Sequence, residues 1–198
     1  MKNQLLILAL LSFTVFAAEE DGFVPMFNGK DLSGWSWQGR DSSTIGDVWS
    51  VQDGVLRSKA RKIGYISVAA TYTNFVLKVE QRHLARGNGG FFVCLHGADK
   101  VWPDGIQIQG KSGAVGDLIN QNSSMKMTTE PARTKKVNKD VIISRMGPDN
   151  EKPLHEWNTL VVTVGQGNLT VPLNGKLQNW ATGIDPASGR IALQDEVT

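Results

Sequence analysis

From residue 18 onward, short stretches in which apolar and polar residues alternate recur along the chain, each bounded by Gly, Asn or Asp, and no window keeps a 3.6-residue apolar period for three turns. The pattern predicts strands. Phe75, Leu77 and Val79 alternate with Val76, Lys78, Glu80 and Arg82, which predicts one buried face and one that becomes polar. In the next strand Phe91, Val93 and Leu95 alternate with Phe92, Cys94 and His96, and further on Ile106 and Ile108 bracket Gln107, which shares a face with Gln109. Thr159 to Val164 reads as a buried strand and Gly189 to Gln194 as another. Asp53-Gly54 and Asn174-Gly175 sit between strand-like runs, where two-residue hairpin loops take positive φ at both central positions. Gln121 to Asp140 has few apolar residues and carries Lys126, Arg133, Lys135, Lys136 and Lys139, so it reads as a long surface loop. Many strands, tight turns and no crossover helices predict an all-β fold, a two-sheet antiparallel jelly-roll sandwich.

The first residues follow a different rule. Lys2 precedes an apolar run from Leu5 to Leu11, and small residues follow, with Val15 and Ala17 before an expected cut. Residues 1–17 are read as a signal peptide and 18–198 as one domain, secreted or periplasmic. The apolar run is shorter than a membrane-spanning helix requires, so no membrane span is expected. Losing Lys2 leaves 20 basic residues against 19 acidic, which gives no basic face and predicts no nucleic-acid partner. Cys94 is the only cysteine, so no intrachain disulfide can form.

Nine strings in order carry a resemblance. They are Gly22–Trp35 (GFVPMFNGKDLSGW), Trp49–Leu56 (WSVQDGVL), Tyr72–Leu77, Gly87–Val93 (GNGGFFV), Val101–Gln109 (VWPDGIQIQ), Gly116-Asp117, Glu156-Trp157-Asn158, Leu173-Asn174-Gly175 and Gly189–Gln194 (GRIALQ). Together they resemble the 3-keto-disaccharide hydrolase domains, a family of secreted bacterial proteins. The resemblance implies a concanavalin A-like jelly roll with a sugar-facing concave sheet. It also implies, in catalytic members, cleavage of glycosides already oxidised at C3. A ketone at C3 acidifies the hydrogen on C2, so a base can remove it and the oxygen on C1 can leave by elimination. Such chemistry needs a base, a group or divalent metal that stabilises the enolate, and an acid for the leaving oxygen. Two positions depart from the family pattern: Gln107 stands where its Glu-x-Gln strand has Glu, and Cys94 where Arg or His is usual. The chain stops at Leu193–Thr198 where the resemblance implies a further strand, so either it is a truncated product or its final edge is left open.

The expected catalytic residues are Glu80, His96 and Asp117, and the expected sugar-binding residues are Arg82, Asn88, Trp102, Gln107 and Gln109. Each has a plainer alternative. Glu80 and Arg82 could form an exposed ion pair, His96 could be a loop histidine, and Asp117 and Asn88 could serve turns. Trp102 suits stacking on a sugar face, whereas Trp157, just before a strand, suits core packing. Cys94 reads as a small apolar filler; as a nucleophile it would need His96 as base. His83, His96 and His155 lack metal-ligand spacing, so the metal set is left unassigned. Three functions follow: a hydrolase or lyase of 3-keto-glycosides, a degenerate carbohydrate-binding module, or an envelope interaction domain. Oligomeric state is not readable.

Overall fold

A computed structural model describes residues 22–59 and 61–196; the expected signal peptide lies outside the described residues. The chain first forms β1 (Trp35–Gly39), a one-turn helix α1 (Ile45–Val48), β2 (Trp49–Gln52), β3 (Val55–Ser58), β4 (Gly64–Val68) and β5 (Tyr72–Thr73). Next come β6 (Phe75–Gln81), β7 (Asn88–His96), β8 (Asp104–Gln109), β9 (Leu118–Gln121) and β10 (Lys126–Thr128). The remainder is β11 (Thr134–Val137), β12 (Asp140–Ile143), β13 (Asn158–Gly165), β14 (Asn168–Leu173), β15 (Lys176–Asp185) and β16 (Ser188–Glu196).

All pairings are antiparallel. The large sheet runs β1-β4-β16-β7-β8-β9-β12-β11 with β5 added to β16, and a five-stranded sheet runs β10-β15-β14-β13-β6. Between them lies the main core, where Val93, Ile106, Ile108 and Leu118 meet Leu77, Leu160, Val162 and Val171. Each fully buried aliphatic side chain of this kind contributes roughly 1.5–3 kcal/mol. This is the expected jelly-roll sandwich. The β2–β3 and β14–β15 turns take positive φ at Asp53 (52°) and Gly54 (72°), and at Asn174 (49°) and Gly175 (80°), as their Asp-Gly and Asn-Gly pairs predict.

Three expectations need correction. The basic interval 121–140 is not a loop: it contains β10, a 3-10 turn at Pro131–Arg133 and β11. These are short edge strands, where lysines keep the open backbone soluble and strip out the apolar pattern that marks interior strands. Thr159–Val164 is buried on one face only, with Leu160, Val162 and Val164 inside. Trp157 is 38% exposed and does not pack in the core. The last described strand, β16, lies between β4 and β7 and pairs with both.

The alternation in β7 also fails partway. Cys94 has φ 55° and the β7–β8 register slips between Val93 and His96, a β-bulge. One extra residue turns both Val93 and Cys94 into the core, and Leu95 joins Phe92 on the opposite face. Two glycines permit it. A Cβ on Gly189 would sit 2.4 Å from the Cys94 carbonyl carbon, and one on Gly105 (φ 150°) would sit 3.1 Å from the Leu95 Cα.

Candidate functional site

The outer face of the large sheet gathers most of the polar residues singled out above. Register sets Gln107 between Phe92 and Ile119, and Gln194 between Tyr65 and Gly90. The Gln107 amide donates to Gln194 Oε1 at 2.6 Å, and the two are only 3% and 5% exposed. Gly90 makes room for them, since a Cβ there would lie 3.0 Å from Gln107 Nε2.

The β7–β8 loop, residues 97–103, folds back onto this face. Asp99 in that loop pairs with Arg190 of β16 and accepts a hydrogen bond from the Tyr65 hydroxyl at 3.4 Å. The Lys100 N–H also reaches the Tyr65 hydroxyl. Burial, then the Asp99 charge, pushes the Tyr65 phenol up to about 12, so it stays a donor at neutral pH. Beneath the loop Tyr65, Phe92, Leu95 and Ala192 form a second buried cluster, with the Tyr65 and Phe92 rings 6.0 Å apart. Farther along, Trp102 lies 6.0 Å from the Arg40 guanidinium, which follows β1. A pocket of about 120 Å³ opens beside the loop, lined by Ser36, Trp37, Gln38, Ser67, Ala69, Asp99 and Arg190.

At the far end of β16 stands Glu196, in register with Asn88. The Asn88 amide donates to Glu196 Oε2 at 2.6 Å. Partial burial raises the Glu196 carboxyl above its usual range, while Lys111 and Arg40 pull it back and Asp195 adds to the rise. Gln109 accepts the Lys111 N–H at 3.2 Å, which orders the loop that brings Lys111 near. Glu196, Arg40, Asp99 and Arg190 were not singled out from sequence. For Glu196 there was a signal: the polar-face period of Gln194 continues two residues further.

The other residues scatter. Glu80 pairs with Thr159 in β6–β13, and its side chain is exposed on the outer face of the five-stranded sheet, across the core from Gln107. Arg82 lies past the end of β6 with its guanidinium 4.6 Å from the Trp157 ring. His96 Nδ1 is 2.9 Å from the Cys94 carbonyl, so this nitrogen carries the proton. The ring stands opposite Asp104, whose carboxylate is taken by Lys100 at 2.8 Å and Asn122 at 3.0 Å. Asp117 accepts the Arg145 N–H at 2.8 Å and closes a loop, with burial raising its carboxyl against the pull of Arg145, Lys135 and Arg133. Cys94 does not face this site. It is fully buried, and burial pushes its thiol up to about 11, far from a nucleophile's range. Among the described residues no group of three or more His, Cys, Asp and Glu side chains could hold a metal ion.

Residues 22–198 match the model of the 3-keto-alpha-glucoside-1,2-lyase-like domain. The chain belongs to this family. It is 26% identical over 165 residues to a 3-keto-disaccharide hydrolase of Bacteroides thetaiotaomicron, an alignment covering 76% of this chain and 55% of the relative. The chain thus spans about half the length of that relative. Among solved structures it is similar to two candidate glycosyl hydrolases from Parabacteroides distasonis. One has TM-score 0.61 at 18% identity, covering 87% of this chain and 86% of the other. The second has TM-score 0.59 at 20% identity, covering 86% and 89%. It is also similar to the carbohydrate-binding module CBM66 from Bacillus subtilis, with TM-score 0.53 at 15% identity, covering 81% and 86%. Likeness at these identities is one of fold.

Proposed function

We propose that this chain is an exported domain that cleaves 3-keto-glycosides by removing the hydrogen from C2, with Glu196 as the proton-transfer group. The observation that carries the reading is the half-buried Glu196 carboxylate, fixed by Asn88 on the same sheet face as Gln107, Gln109 and Gln194. A carboxyl raised by burial is better suited than an ordinary glutamate both to take a proton and to return it. An ordinary glycosidase needs two carboxyls flanking the bond. Elimination needs fewer, because the hydrogen on C2 and the oxygen on C1 are neighbours.

Glu196 takes the C2 hydrogen as a proton, and the C–H electron pair forms the C2=C3 enolate. Positive charge from Arg40 and Lys111 favours that anion. The enolate then re-forms the C3 carbonyl, creates the C1=C2 double bond and breaks the C1–O bond. The departing oxygen takes the proton back from Glu196, and water adds across C1=C2 to complete a net hydrolysis. A second reading, binding without cleavage, is favoured by one feature: Gln107, where the family resemblance implies Glu, is closed in an amide pair with Gln194.

The test is release of a chromogenic aglycone from a 3-keto-glucoside. The expected result is turnover that falls about 10²–10⁴-fold in Glu196→Gln, with an acid limb in the pH profile above the ordinary glutamate range. Wild-type protein that binds the glycoside and releases nothing would leave the binding reading standing and sink the hydrolase.

A further inference from the structure

We infer that the pocket holding the Arg190–Asp99 pair is a second sugar site on the outer face of the large sheet, taking a neutral saccharide unit of an oligosaccharide whose reacting end lies at Glu196. The inference rests on the reading that this face takes carbohydrate, but not on catalysis.

The pocket's chemistry is that of hydroxyl recognition. Arg190 offers a rigid fork of donors and Asp99 only acceptors, so two adjacent hydroxyls can bridge them, one accepting from the guanidinium and the other donating to the carboxylate. The Ser36 and Ser67 hydroxyls and the Gln38 amide line the same cavity. Arg190 Nη1 is 3.4 Å from Ser67 Oγ, a long contact that a ligand oxygen can improve upon. The two charges of the pair cancel. An anionic group would have to displace Asp99 and a cationic one Arg190, each at the cost of a charge-assisted bond, whereas a diol keeps both.

Geometry joins this pocket to Glu196. Arg190 and Glu196 lie on one face of β16 six residues apart, roughly 20 Å at the usual strand rise. That is too far for a disaccharide to touch both. Alternate residues of β1 supply the track between them: Ser36 and Gln38 line the pocket, and Arg40, next in the alternation, lies close enough to Glu196 to pull on its titration. Because Asp99 belongs to the β7–β8 loop, an oligosaccharide held there also holds that loop in place.

Calorimetry on Glu196→Gln, whose turnover is expected to be slowed about 10²–10⁴-fold, tests this with neutral gluco-oligosaccharides from maltose to maltohexaose and cellobiose to cellohexaose. Affinity is expected to rise roughly tenfold with length in one series and then level off, since the added contact is a pair of hydrogen bonds to charged groups. Asp99→Asn, a same-shape change at an exposed position, and Arg190→Gln are each expected to erase the rise. Flat affinity against length, or a rise that both variants retain, overturns the inference. So does tighter binding of a glucuronate-ended oligosaccharide than of its neutral counterpart. Length-dependent binding in a protein that releases no aglycone upholds this inference while the hydrolase falls; aglycone release with flat affinity does the reverse.

Discussion

The two outer faces of this sandwich are built from strands of similar alternation and end in opposite states. On the five-stranded sheet Val76 is 48% exposed, Glu80 stands in solvent, and Arg82 lies over the partly exposed Trp157. On the large sheet Phe92 is fully buried and Gln107 nearly so, although neither faces the main core. The difference is the cover. A loop crosses the second face, anchored through Asp99 to Arg190 and Tyr65, and nothing comparable among the described residues covers the first. A polar residue on an open face is solvated and tells little; one on a covered face must be paired, and its partner becomes part of a site.

Breaking the cover's underside gives the largest expected effect. Phe92→Ala should lower unfolding free energy in urea by about 3–5 kcal/mol, as for a core phenylalanine. Val76→Ala, on the open face, should stay within about 0.5 kcal/mol. Equal costs would mean that the loop does not exclude water. Next is the amide pair. Gln107→Leu should cost about 1–3 kcal/mol because it strands the Gln194 amide, whose Nε2 already lacks a protein partner. The double change to Leu at 107 and 194 should recover most of that, and a double-mutant cycle without coupling would refute the pairing.

Arg82→Ala sharpens the contrast from the open side, with an expected loss of about 0.5–1 kcal/mol from the cation–π contact. The smallest effect concerns Glu196 and has a sign. Its pKa is raised on folding, so the folded chain binds more protons in that window and stability falls as pH rises through it. Glu196→Gln should therefore be slightly more stable than wild type at neutral pH and lose that advantage below the ordinary glutamate range. Melting curves across pH would show the crossing, and an advantage that persists in acid would argue against it.

Much of the fold was legible locally. Asp53-Gly54 and Asn174-Gly175 announce their turns because positive φ at both positions is a demand on those residues alone. Phe75, Leu77 and Val79 announce their buried face for a similar reason: period two is a property of one strand. The site was legible only in pieces. Glu80 and Gln107 both read as polar-face residues, yet they stand on opposite sides of the molecule, since alternation reports a face and not which sheet owns it. Cys94 seemed to share a face with His96 until the bulge shifted the count. That bulge exists where Gly105 on the next strand and Gly189, far away in sequence, let their strands press close.

The chain by itself determined that it would fold as strands, where its tight hairpins would fall, and which family it resembles, because period, turn residues and ordered strings are written locally. The tertiary structure alone decided which polar residues meet. Asp99 came to Arg190, Asn88 to Glu196 and Gln107 to Gln194 through strand order, register and one loop folding back. Those are relations between segments up to about a hundred residues apart, and no single segment carries them.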